Sequence, residues 1–91
     1  MNENVTANEK QLEGLLTRTE RRLLEALRRQ PDHVFTRPEL VSLVMPETVV
    51  LERTIDVHVK GLRKKLGRDA ARLQTIRGVG YRWVSQPSVG S

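Results

Sequence analysis

Arg53, Lys60 and Lys64 stand at steps of seven and four residues, and Arg77 directly precedes Gly78-Val79-Gly80. In a helix, steps of seven and four return to nearly one face. Cations lined up in this way suit charge neutralisation rather than bond making. A basic helix fits the major groove of double-stranded DNA and pairs with its phosphates. An arginine on a slender glycine turn can enter a minor groove. The stretches 52–67 and 73–83 therefore read as a cationic helix beside a cationic hairpin. Val57 is the one apolar side chain on the basic face, where it can meet a thymine methyl or simply face solvent.

Other chemistry finds little support. The chain has no cysteine, and its two histidines, His33 and His58, are far apart in sequence. No carboxylate cluster offers metal ligands or an acid–base pair. Gly78-Val79-Gly80 is only a fragment of a glycine-rich phosphate loop, and it falls in a hairpin rather than between strand and helix. Neither catalysis nor a cofactor or metal is expected, and His33 reads as an ordinary surface residue.

The 91 residues allow one small domain. We expect it over 5–84, with a disordered start at 1–4 and a flexible tail at 85–91. Residues 1–51 hold seven Lys/Arg and eight Asp/Glu, a net of −1, whereas residues 52–91 hold nine and three, a net of +6. Such a field attracts nucleic acid, an anionic membrane or an acidic protein, and nucleic acid is favoured over a merely solvated basic face. No apolar run approaches the roughly 20 residues of a membrane span. The N-terminus lacks the order of a secretory signal, so a cytoplasmic location is expected.

Local signals set the elements. Residues 5–14 read as a short hairpin. Thr17-x-x-Glu20 has capping-box form and opens a helix to about Gln30, with Leu23, Leu24 and Leu27 inward and Pro31 as the stop. Its arginines Arg18, Arg21 and Arg22 could touch phosphate, but a solvated face is the favoured reading. Val34 and Phe35 form a connector that enters the core. Thr36-x-x-Glu39 opens a second helix to about Val44, burying Leu40, Leu43 and Val44. A third helix runs from about Glu52 to Leu66, with Ile55, Val59, Leu62 and Leu66 as its core stripe. Residues 68–72 read as a polar linker, and two strands follow, 73–76 and 81–84, joined by a glycine turn. Trp83 reads as core. The fold class is α+β: a winged helix-turn-helix of three helices, a C-terminal hairpin wing and a reduced N-terminal hairpin.

Five segments carry a resemblance: Thr17-x-x-Glu20, 34–37, 53–59, 62–66 and 76–82. Together they resemble the winged-helix output domain of OmpR/PhoB-type response regulators over roughly residues 5–84. The resemblance implies sequence-specific promoter binding and transcription regulation, either as the output domain of a two-component phosphorelay or as a stand-alone relative. It implies tandem protomers on direct repeats, and an RNA polymerase contact through the 45–51 loop. By motif position, Arg53 and His58 resemble phosphate-contacting residues. Thr54, Val57 and Gly61 sit where the family makes base or methyl contacts. Lys60 and Arg63 match basic positions used on backbone or bases. Thr75 and Arg77 match the wing, and Tyr81 an aromatic that packs it.

Some roles stay open. Many family members carry an arginine where Gly61 stands, so the reading face lacks a side chain there. Glycine also weakens a helix by about 1 kcal/mol relative to alanine. Arg63 either joins the DNA-facing set or pairs with Asp56, which itself reads as structural. His58 either meets phosphate or packs at the edge of the core. Lys64 meets phosphate or solvent. The competing function is a protein-interaction module that keeps the fold but binds RNA polymerase or another regulator.

Overall fold

The computed structural model describes residues 14–85. The expected N-terminal hairpin lies outside these residues except for Gly14, which is helical. The termini 1–4 and 86–91 also lie outside. Helix α1 spans Arg18–Arg29, strand β1 Phe35–Thr36, α2 Arg37–Val44 and α3 Arg53–Leu66. A 3-10 helix, Gly67–Arg72, leads into β2, Leu73–Ile76, and β3, Gly80–Trp83.

Both capping boxes form. The Glu20 N–H donates to Thr17 Oγ1 at 3.1 Å, and Glu20 Oε1 accepts from the Thr17 N–H at 2.9 Å. Thr36 and Glu39 repeat the exchange at 3.2 and 2.8 Å. Each box satisfies helix-start donors that water would otherwise have to reach, at about 1 kcal/mol per cap.

The core lies where α1 and α3 face each other, with Leu23, Leu27, Ile55, Val59 and Leu62 at 0–1% exposure. Leu66 completes the α3 stripe. On α2, Leu40 and Val44 are buried but Leu43 is exposed, against expectation. Half-buried Val41 shows which way the α2 stripe leans, and Leu43 falls on its far side.

Two further expectations need correcting. Residues 68–72 are a 3-10 turn rather than a plain linker, and Ala70 packs against the core. The connector at Phe35 is a strand. It pairs antiparallel with β3 (Phe35↔Tyr81, Thr36↔Gly80), so β3 becomes the centre of a three-stranded sheet ordered β1-β3-β2. The wing proper is β2–β3, in register from Leu73↔Trp83 to Ile76↔Gly80.

The two wing glycines have different tasks. Gly78 takes φ 76° in the turn, as the glycine turn requires. Gly80 serves close approach instead: a Cβ there would overlap the Phe35 carbonyl oxygen and stand 2.9 Å from Thr36 Cα. Ser85, expected to begin the tail, is hydrogen bonded instead, its hydroxyl donating to Asp32 Oδ2 at 2.9 Å.

Candidate nucleic-acid interface

Helix α3 turns one face to the core and the other to solvent. Arg53, Val57, Lys60 and Lys64 are exposed on the outer side, with Val57 at 67%. Thr54, His58, Gly61 and Arg63 are half-buried along its flanks. Thr75 and Arg77 are exposed on the wing, Arg77 at the turn closed by the Val79 N–H donating to the Ile76 carbonyl at 2.9 Å. Basic side chains thus line one helix face and mark the wing turn, on elements joined through a shared core.

One polar cluster ties the wing to the helices. Asp56 Oδ1 accepts from Arg37 Nε at 3.1 Å and from the Tyr81 hydroxyl at 2.6 Å. Two turns further along α3, an Arg63 Nη donates to the Leu73 carbonyl at 2.6 Å and to Thr75 Oγ1 at 2.8 Å. The Arg63 guanidinium also lies over the Tyr81 ring, 5.8 Å from its centroid. The Asp56–Arg63 pair does not form. Seven residues along a helix are about 10 Å of rise, and each group finds a nearer partner. Arg63 and Thr75 are therefore partners of each other, bridging helix and wing.

Burial, and then the hydrogen bond to Asp56, push the Tyr81 hydroxyl up from 10.0 to about 12. The raised value means that folding favours the neutral phenol. Its stabilisation is complete below pH 10 and is lost as pH rises through about 12. Urea unfolding at pH 9 to 12 should therefore show the stability advantage of the wild type over Tyr81→Phe shrinking as pH climbs. A constant difference would mean that the phenol does not titrate in this way.

A second polar group was not legible as a site residue. Glu20, read only as a cap, is the buried charged side chain among the described residues, at 5% exposure. Its Oε1 also accepts from Lys65 Nζ at 2.7 Å. Burial pushes the Glu20 carboxyl up, but hydrogen bonds from Lys65 and the Thr17 N–H outweigh it and hold the group below its ordinary value. A Cβ on Gly61 would stand 2.5 Å from Glu20 Oε2. The missing side chain at Gly61 is thus not an empty place on the reading face: the carboxylate of α1 fills it. The signal lay in Thr17-x-x-Glu20, but its link to Gly61 and Lys65 is tertiary.

Among the described residues there is no His/Cys/Asp/Glu group able to hold a metal, and no helix long and apolar enough to cross a membrane.

The family described as "Transcriptional regulatory protein, C terminal" matches residues 11–83, and the chain belongs to that family. It is a family of regulators, not of enzymes. The chain is 44% identical over 72 residues to the transcriptional regulatory protein BaeR of Escherichia coli O6:H1, covering 75% of this chain and 30% of BaeR. It is 40% identical over 82 residues to the phosphate regulon regulator PhoB of Escherichia coli K12, covering 87% and 35%. The chain thus spans about a third of the length of these relatives. Among solved structures it is similar to the DNA-binding domain of the response regulator AdeR in complex with an intercistronic region (TM-score 0.69, 45% identity, 76% of this chain and 71% of that one). The DNA-binding domain of Bacillus subtilis CssR gives TM-score 0.69 at 28% identity, covering 76% and 77%. These neighbours share the winged-helix fold described above.

Proposed function

We propose that this chain binds double-stranded DNA and serves transcription regulation as the output domain of a response regulator, in the cytoplasm. The observation that carries the reading is the exposed set Arg53, Val57, Lys60 and Lys64 on α3 beside Arg77 on the wing. The AdeR domain, similar in fold and sequence, was solved on DNA. In this reading α3 enters the major groove. Arg53, His58, Lys60 and Lys64 meet phosphates, Thr54 and Val57 meet base edges, and Arg77 enters the minor groove. Arg63 and Thr75, bonded to each other, hold the wing. Gly61 contributes by admitting Glu20 rather than by touching a base. The reading extends to tandem protomers on direct repeats. It also extends to an RNA polymerase contact at the 45–51 loop, where Val49 and Leu51 are exposed.

Anisotropy titrations against duplex DNA over a salt series test it. About five neutralised phosphates give a log–log slope of about −4.5. Lys64→Ala should weaken all sequences alike and flatten the slope by about one unit, whereas Arg77→Ala should weaken A·T-rich flanks most. Dissociation constants weaker than about 10⁻⁴ M for every duplex at low salt would sink the reading.

A further inference from the structure

Lys65 follows Lys64 in the last turn of α3, yet the two lysines differ in what surrounds them. Lys64 is exposed, whereas Lys65 is half-buried with its ammonium 2.7 Å from Glu20 Oε1. Glu20 is itself held in place. Its Oε1 accepts from the Thr17 N–H at 2.9 Å, and its Oε2 occupies the space a Cβ on Gly61 would need. The first turn of α1 therefore places a fixed negative charge against the flank of α3, at the one position of that helix that lacks a side chain.

We infer that Glu20 is a positioning residue for DNA binding: it removes Lys65 from the phosphate-contacting set and, by filling the space over Gly61, ends the duplex-facing surface of α3 at Lys64. The inference rests on the DNA-binding reading above. Helical spacing puts Lys65 about 100° from Lys64, on the flank that also carries Gly61 and His58, from which a long side chain could still reach a phosphate. The ion pair makes Lys65 internal. A lysine already matched by a carboxylate releases no further counterion when phosphate approaches, so it adds nothing to the salt dependence.

The test uses the whole chain and one fixed duplex, with anisotropy titrations from 50 to 200 mM salt. Glu20→Gln keeps an acceptor for the Thr17 N–H and the same shape beside Gly61, but frees the Lys65 charge. The slope should steepen by about 0.9, an extra loss of affinity of about 3.5-fold across that fourfold salt range. Lys65→Met should leave the wild-type slope unchanged. An unchanged slope in Glu20→Gln, or a slope flattened by about 0.9 in Lys65→Met, overturns the inference. Circular dichroism melting checks that each variant is folded at the assay temperature; should Glu20→Gln be unfolded there, the Lys65→Met slope decides alone. A wild type without salt-dependent duplex binding removes the DNA-binding reading and the inference together. A wild type that binds, with variants of the opposite behaviour, removes the inference only.

Discussion

Gly80→Ala should lower the thermal midpoint by about 12 °C or more, corresponding to about 3 kcal/mol in a domain of this size. The cause is a collision between backbones. The added Cβ would overlap the Phe35 carbonyl oxygen and press on Phe35 C and Thr36 Cα, each at 2.9 Å. A side chain could rotate away, but these atoms belong to the neighbouring strand. Relief requires β1 to part from β3, which gives up the Phe35↔Tyr81 and Thr36↔Gly80 pairing. Phe35 and Tyr81 are both buried, so parting the strands also opens the core beneath them. Gly78→Ala is the control. Nothing lies within 4 Å of a Cβ there, and only the left-handed φ of 76° penalises it, by about 1–2 kcal/mol. Melting curves of the two variants decide: a Gly80→Ala midpoint within about 4 °C of the wild type would show that the strands part without cost.

Two apolar residues two positions apart on α3 should behave in opposite ways. Ile55 is fully buried, and Val57 is 67% exposed. Ile55→Ala removes buried methyl groups and leaves a cavity, at about 2–5 kcal/mol. That is a large share of the roughly 5–15 kcal/mol that stabilises a typical domain. Val57→Ala should change stability by no more than about 0.5 kcal/mol, while weakening binding to sites that offer a thymine methyl to α3. Urea midpoints and anisotropy titrations on the same two proteins separate the effects. Similar stability losses in both variants would contradict the placement of α3. A Val57→Ala protein that binds every site as the wild type does would remove Val57 from the base-reading set.

What could be read in the sequence was what is decided locally. Thr17-x-x-Glu20 and Thr36-x-x-Glu39 exchange hydrogen bonds within one turn, so their spacing suffices to announce helix starts. The stripe of Ile55, Val59, Leu62 and Leu66 follows from helical period alone, and the exposed face opposite it follows with the same arithmetic. Features made by distant partners were not legible. Phe35–Thr36 is a strand because β3 supplies its hydrogen bonds from about 45 residues away, and two residues carry too little pattern to signal it. Asp56 meets Arg37 and Tyr81 rather than Arg63 because three elements converge there. Gly61 looked like a gap in the reading face; only the packing of α1 against α3 shows that a carboxylate uses the space.

Thr36 belongs to two elements at once. It is the last residue of β1, paired with Gly80, and its hydroxyl caps α2 by accepting from the Glu39 N–H. No loop separates sheet from helix at this point, so there is no slack to absorb relative motion. Swinging the wing away would drag β1 with β3 and uncap α2 in the same movement. The sheet and the helix pair thus open as a single cooperative unit. In the proposed DNA complex this linkage makes the molecule a caliper, with the span between α3 and the Arg77 turn set by the fold, and sequence-dependent adjustment at the interface falls to the DNA.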